Sequence, residues 1–222
     1  MDKLPELDLI WEQTLGWLPT PYQKQKFQQL YEEILEGNRQ FNLTRITSPR
    51  DFWEKHLWDS LAGVISPSFP PDQPLQVIDI GTGAGFPGIP IAIAFPDCQV
   101  TLLDSTRKKV NFLNNLSQHL SLTNVTAIAS RAEELAKDKQ YQNFYDLALI
   151  RAVGSATVCT EYTLPLLKTG GQAILYRGFW SEEENNELLK TLTNLSGKIE
   201  TIQELTTPLS QSTRHYLWLR KL

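Results

Sequence analysis

The apolar run Val77-Ile78-Asp79-Ile80 stops at Gly81-Thr82-Gly83-Ala84-Gly85-Phe86-Pro87-Gly88, and this junction constrains the chain more than any other segment. Four glycines in eight residues would weaken any strand or helix. They mark a loop in which a Cβ would clash with a ligand or forbid the turn. With a strand before it and a helix after it, such a loop points to a nucleotide-like cofactor rather than to a plain reverse turn.

Two registers fit the glycines. Gly83, Gly85 and Gly88 satisfy the dinucleotide pattern G-x-G-x-x-G, with Asp104 near the offset of about 20 residues expected of a ribose-binding acid. If the strand ends at Ile80, however, the first glycine is Gly81, and the loop reads G-x-G-x-G with Asp79 two residues ahead of it. That second arrangement is similar to the loop of S-adenosylmethionine-dependent methyltransferases. A dinucleotide site wants a helix N-terminus facing a pyrophosphate, whereas Phe86 and Pro87 crowd this helix start, which suits a cofactor without phosphates. Pro87 is acceptable in the first helical turn, and Pro90 requires the helix to begin at about Gly88.

The next unit repeats the pattern. Gln99 to Leu103 is rich in β-formers and ends in Asp104, and Arg107 to Leu120 carries Val110, Leu113, Leu116 and Leu120 at helical spacing. Asp104 is thus predicted at a strand tip, able to accept from both hydroxyls of a ribose, with Ser105 and Thr106 capping the helix beside it.

Before the glycine loop the chain reads as helical. Leu7 to about Gly37 shows Phe27, Leu30, Tyr31, Ile34 and Leu35 on one face, with Gly37 as the expected stop. Phe52 to Ile65 is a second helical stretch, with Phe52, Trp53, Leu57, Leu61 and Val64 facing inward. The proline-rich break from Ser66 to Pro74 separates this part from seven predicted strands that alternate with helices. The organisation expected is a helical segment over 1–66 packed on a catalytic-type domain over 67–222. Its fold class is α/β, a doubly wound, mostly parallel seven-stranded Rossmann-like sheet with an N-terminal helical cap, the last two strands forming an antiparallel pair.

Composition narrows the function. A length of 222 residues with 41% hydrophobic content suits one sizeable domain with an appended segment. The longest apolar runs, such as Ile89 to Phe95, fall far short of the ~20 residues of a membrane span, and no signal-like core follows Met1, so a cytoplasmic address without membrane partners is expected. Cys98 and Cys159 form no C-x-x-C pair, and with three histidines they suggest buried thiols rather than a metal framework. A net charge of -4 argues against broad, non-specific nucleic-acid binding but leaves room for a specific RNA site. Positive charge gathers locally at Arg39, Arg45, Arg50 and Lys55, at Arg107, Lys108 and Lys109, and at Arg131, Arg151, Arg177 and Arg214.

In open α/β sheets ligands gather at the carboxyl ends of strands. After the third predicted strand, the backbone of Ala132 and the carboxylate of Glu133 are placed to read an adenine edge. After the fourth, Arg151 ends a buried strand, where a guanidinium is costly unless paired, so a ligand or substrate contact is expected of it.

Taken together, Asn42-Leu43-Thr44, Lys55-His56-Leu57-Trp58-Asp59-Ser60, the loop from Gly81 to Gly88, Leu103-Asp104-Ser105, Arg131-Ala132-Glu133 and Arg151-Ala152 resemble the RsmG (GidB) family of bacterial small-subunit rRNA methyltransferases. The resemblance is collinear from about Glu32 to Leu219; Lys55 and Trp58 stand where an arginine and an aliphatic residue look more usual. It implies S-adenosylmethionine as cofactor, S-adenosylhomocysteine as product and a 7-methylguanine in 16S rRNA. It also implies cofactor contacts at Gly81, Phe86, Asp104 to Thr106, Ala132, Glu133 and Arg151, to which the loop reading adds Asp79, Gly83 and Gly85.

Guanine N7 carries an in-plane lone pair and no proton, so no general base is needed and catalysis should be positioning. An arginine gripping both O6 and N7 would block the reaction; Asp59, Arg151 and His56 are the candidates at the reacting base. Asn42, Arg45, Arg177 and Arg214 are the candidates for RNA. No metal is called for, the partner is 16S rRNA or the small subunit, and a monomer is expected. The rival readings are a nicotinamide-dependent oxidoreductase using the other glycine register, and a binding module without catalysis.

Overall fold

The structure is a computed structural model that describes residues 2–65 and 74–222. The proline-rich break from Ser66, and with it the expected boundary at 66/67, lies outside the described residues apart from Pro74.

Helices α1 (Asp8–Leu15) and α2 (Pro21–Phe41) open the chain. Thr20 starts α2 with a capping box, its hydroxyl accepting from the Gln23 N–H while the Gln23 side chain accepts from the Thr20 N–H, and Pro21 occupies the first turn. Gly37 does not end this helix, contrary to the sequence expectation. A Cβ there would collide with the Phe112 ring, so the glycine permits close approach of the neighbouring helix, and Asn42 in the left-handed region (φ 49°) makes the stop instead.

The second helical stretch is built from α3 (Pro49–Phe52), a π-helical segment (Trp53–Trp58) and α4 (Asp59–Ala62). It is not the one-sided helix that its apolar spacing predicts. Glu54, His56, Asp59 and Ser60 are buried along with Phe52, Trp53, Leu57, Trp58 and Leu61. Each polar side chain finds a partner: Glu54, for example, accepts from the Leu209 and Ser210 N–H groups of a distant turn. Burial without such bonds would cost several kcal/mol per group, on the order of 2–7.

The remainder alternates as expected: β1 (Gln76–Ile80), α5 (Gly88–Ala94), β2 (Gln99–Asp104), α6 (Arg107–His119), β3 (Val125–Ala129), α7 (Ala132–Leu135), β4 (Tyr145–Arg151), α8 (Ala156–Thr163), β5 (Leu167–Arg177), α9 (Glu182–Asn194), β6 (Gly197–Thr206) and β7 (Thr213–Lys221). The seven strands lie in the order β3-β2-β1-β4-β5-β7-β6. All pairings are parallel except those of β7, which runs antiparallel to both β5 and β6.

Side chains alternate across a sheet with period two, and this sorts the strands into two cores. Val77, Leu147, Leu149, Ile174, Tyr176, Tyr216 and Trp218 pack with the N-terminal helices, α5 and α6. Ile78, Ile80, Ala148, Ile150, Ala173, Leu175, Leu217 and Leu219 pack with α7, α8 and α9. The alternation also sets the site. Arg151 continues the Leu147-Leu149 face and Arg214 precedes Tyr216 on its face, so both arginines turn toward the N-terminal helices, whereas Arg177 alternates with Tyr176 to the opposite face.

Candidate active site

The glycine loop folds around Asp79. This carboxylate is wholly buried, and one oxygen accepts from the Thr82 hydroxyl (2.6 Å) and the Gly88 N–H (2.8 Å), while the other, Oδ1, has no hydrogen-bond partner among the described residues. Burial pushes the Asp79 carboxyl up to about 6, against the two hydrogen bonds that lower it. Asp79 therefore shapes the loop and lines neither of the two cavities described below.

The glycines divide in the same way. Gly81 (φ 69°) lies under Val153, whose side chain a Cβ would strike, and Gly85 (φ 100°) packs against Ile89 and Leu113. Gly83 (φ 62°) differs, because a Cβ there would meet nothing nearer than the Gly81 carbonyl at 3.9 Å. It is the one loop glycine of these three whose missing side chain leaves open space. Its N–H donates to Asp104 Oδ2 (3.1 Å), while the Thr106 N–H donates to Asp104 Oδ1 (2.8 Å). Thr106 occupies the N-cap of α6 without a side-chain cap bond, so the capping expected of its hydroxyl is not formed, and Asp104 holds the N-cap residue through its N–H.

Beside Asp104 lies a cavity of about 250 Å³ lined by Gly81, Asp104, Ser105, Ala132, Glu133, Val153 and Tyr162. Glu133 accepts from the Tyr162 hydroxyl (2.9 Å), and its own backbone N–H, then Tyr162, hold its carboxyl below the usual range. Tyr162 and Val153 were not legible as site residues. Two carboxylates and a serine suit the hydroxyls and amine of a nucleoside. The N–H that would open α5 toward a pyrophosphate is instead bonded to Asp79. The dinucleotide register thus loses its anion site.

A second cavity, of about 540 Å³, opens at the other side of the strand ends, among Lys55, His56, Asp59, Arg151, Arg177, Phe179 and Arg214. Asp59 is its centre. Oδ2 accepts from Arg151 Nη1 (2.9 Å), and Oδ1 accepts from the Tyr216 hydroxyl (3.0 Å) and faces Arg214 Nε (3.4 Å). Arg151 also donates to the Lys55 carbonyl (2.9 Å). Arg177 turns to the Gly154 carbonyl and Glu184. Arg45 and Asn42 are exposed and line neither cavity.

His56 and Phe86 join the two halves. Their rings stack at 4.1 Å with planes 8° apart, Phe52 meets both edge-on, and the Arg151 guanidinium lies 6.0 Å from the Phe86 ring. Burial, then the Arg151 charge, pushes the His56 imidazole down to about 3, so it is neutral at ordinary pH. Its Nε2 contacts the Thr44 hydroxyl (3.0 Å), which itself accepts from the Ile46 N–H. Arg151, expected at both the cofactor and the reacting base, is among the lining residues of the second cavity.

Among the described residues, no helix is long and apolar enough to cross a membrane, and no group of three metal-type side chains is found. Both cysteines are free and buried, as expected.

Residues 23–216 match the family described as GidB, rRNA small subunit methyltransferase G. A relative from Nostoc punctiforme named ribosomal RNA small subunit methyltransferase G is 57% identical, over 99% of this chain and 91% of its own length. Two solved structures share the fold. A SAM dependent methyltransferase from Aquifex aeolicus has a TM-score of 0.52 at 16% identity, over 69% of this chain and 85% of that one. A variant 16S rRNA (adenine(1408)-N(1))-methyltransferase from Catenulisporales acidiphilia has a TM-score of 0.57 at 13% identity, over 70% of this chain and 93% of that one.

Proposed function

Because the chain belongs to the GidB family of rRNA small subunit methyltransferases, we propose that it transfers a methyl group from S-adenosylmethionine to N7 of a guanine in 16S rRNA, releasing S-adenosylhomocysteine. The observation that carries this reading is the pair of unlike cavities at the strand ends, one lined by Asp104 and Glu133 and the other by Lys55, Arg151, Arg177 and Arg214.

The residues present fit the cofactor. Gly83 leaves space where a Cβ would stand, and Asp104 and Glu133 present carboxylates into the adjoining cavity. Gly83, Asp104, Ser105, Ala132 and Glu133 would hold it. When bound, S-adenosylmethionine supplies an electrophilic methyl group on a sulfonium.

The protein's own part is placement. A guanine N7 needs no deprotonation, and His56, neutral and packed on Phe86, is suited to wall the base rather than to move a proton. Asp59 already accepts from Arg151 and Tyr216 and faces Arg214, so it fixes two cations rather than taking the guanine amino group. Arg151 and Arg214, held in this way, are placed to meet O6 or a phosphate without covering N7, and a dry, preorganised cation strengthens any charge it faces. Arg45, exposed at the surface, is assigned to the RNA backbone. The reading calls for no metal, because the reacting nitrogen already carries its lone pair. It takes the protein as a cytoplasmic monomer acting on 16S rRNA, naked or within the small subunit, and keeps the helical segment over 1–66 as a cap on the catalytic domain over 67–222.

Radiolabelled S-adenosylmethionine is incubated with 16S rRNA lacking the modification, and the labelled nucleotide is mapped. Label on a single guanine, released as 7-methylguanine, is the expected result. Label on an adenine, on a cytosine or on nothing would overturn the reading.

A further inference from the structure

The loop between β5 and α9 places a large exposed ring at the mouth of the cationic cavity. Phe179 is 72% exposed and lines that cavity together with Arg177 and Arg214. A single exposed phenylalanine is ordinary on a protein surface. This one differs in how it is held. Arg177 before it is tied to the Gly154 carbonyl and to Glu184, Trp180 after it packs on the second core, and Ser181 caps α9 through the Glu184 N–H. The ring is presented from a short, anchored loop and stacks on no other ring among the described residues.

We propose that Phe179 is an RNA-binding residue that stacks on a base of the RNA strand entering the cationic cavity. The inference rests on the reading of that cavity as the nucleotide site. Lys55, Arg151, Arg177 and Arg214 line it, and their carboxylate partners are Asp51, Asp59, which Arg151 and Arg214 share, and Glu184, so positive charge remains in excess there. A polyanion is thus the partner the surface fits, and cationic grooves with an aromatic plate are the usual means of gripping unpaired nucleotides. The arginines supply attraction to phosphate and ring edges. None of them supplies an apolar face, and Phe179 does.

The test uses small ribosomal subunits carrying unmodified 16S rRNA and compares Phe179→Ala, Phe179→Leu, Phe179→Trp and Arg214→Ala. Phe179→Ala is expected to raise the KM for subunits about tenfold, as loss of one base stack does. Its salt dependence and its affinity for S-adenosylmethionine should stay at wild-type values. Phe179→Trp is expected to restore the KM, and Phe179→Leu, which keeps apolar bulk without a π face, to behave like alanine. A leucine variant as good as wild type would assign the ring to an apolar contact with a ribosomal protein and overturn the proposal. So would an unchanged alanine variant: if Arg214→Ala still loses affinity, the cavity assignment stands and Phe179 alone is wrong, whereas if neither variant changes, the cavity assignment falls as well.

Discussion

Arg151 Nη1 and Asp59 Oδ2 lie 2.9 Å apart, with side chains 17% and 7% exposed, and this ion pair ties the end of a parallel strand to the turn where the π-helical segment becomes α4. The same carboxylate faces Arg214 and accepts from Tyr216. Removing the charge while keeping the shape leaves two arginines without their counter-ion. Asp59→Asn should therefore destabilise the fold by about 3–5 kcal/mol, the range for breaking a buried pair from one side. Denaturant unfolding measures it, and a loss below 1 kcal/mol would mean that water replaces the carboxylate.

The loop glycines allow a cleaner separation of fold from binding. Gly83→Val directs a branched side chain into open space beside Asp104, so S-adenosylmethionine binding should fall below detection in calorimetry while the fold persists. Its positive φ adds strain on the order of 1–3 kcal/mol. Gly85→Val, by contrast, would strike Ile89 and Leu113 and should unfold the protein at lower denaturant. A folded Gly83→Val protein with full cofactor affinity would falsify the placement of the cofactor.

The buried imidazole carries a pH signature. His56 is held down to about 3 in the folded protein against 6.5 in the unfolded chain, so between those values the unfolded state binds the extra proton. Stability from this residue is complete above about 6.5 and declines as pH falls toward 3, by at most roughly 1.4 kcal/mol per pH unit. Asp79 works the other way. Its carboxyl is raised from 3.8 to about 6, so the folded state binds more protons in that window, and stability from Asp79 falls as pH rises through it. The wild-type slope is consequently blunted from 3.8 to 6. The difference between wild type and His56→Gln isolates the histidine: the variant's relative stability should improve steadily on acidification below 6.5. Parallel curves would show that His56 is protonated in the folded state.

Much of this architecture was legible because short-range patterns carry it. Strand alternation, the glycine loop and the Val110-Leu113-Leu116-Leu120 stripe each reflect a local period, and the structure places all three as expected. Gly37 misled because its reason is tertiary: the bare Cα makes room for Phe112, a residue 75 positions away. The π-helical segment was equally hidden, since apolar spacing alone does not distinguish five-residue from four-residue hydrogen bonding. At the site, Asp104, Glu133 and Arg151 could be read from strand ends. Tyr162 and the Asp59 partner Tyr216 could not, because only the tertiary fold brings their elements beside those ends, and Val153 and Phe179, just past the ends of β4 and β5, are apolar types that carry no ligand chemistry of their own.

Arg45 and Arg214 were paired in the sequence as RNA contacts, and the structure gives them different expected behaviour. Arg45 is exposed, and no ion pair is found for it among the described residues, so Arg45→Ala should leave stability within about 0.5 kcal/mol of wild type. If it neutralises a phosphate, the slope of log affinity against log salt should lose somewhat less than one unit, about 0.7–0.9. Arg214 stands 3.4 Å from Asp59 with its side chain 26% exposed. Arg214→Ala should therefore cost stability as well as RNA affinity, because Asp59 loses one of its two cations. Cofactor affinity should be untouched in both, since neither residue lines the cavity beside Asp104. Filter binding of unmodified small subunits across a salt series, with thermal unfolding of each variant, separates the two effects. An Arg45→Ala variant with wild-type slope would remove Arg45 from the RNA face and leave the cationic cavity as its sole support.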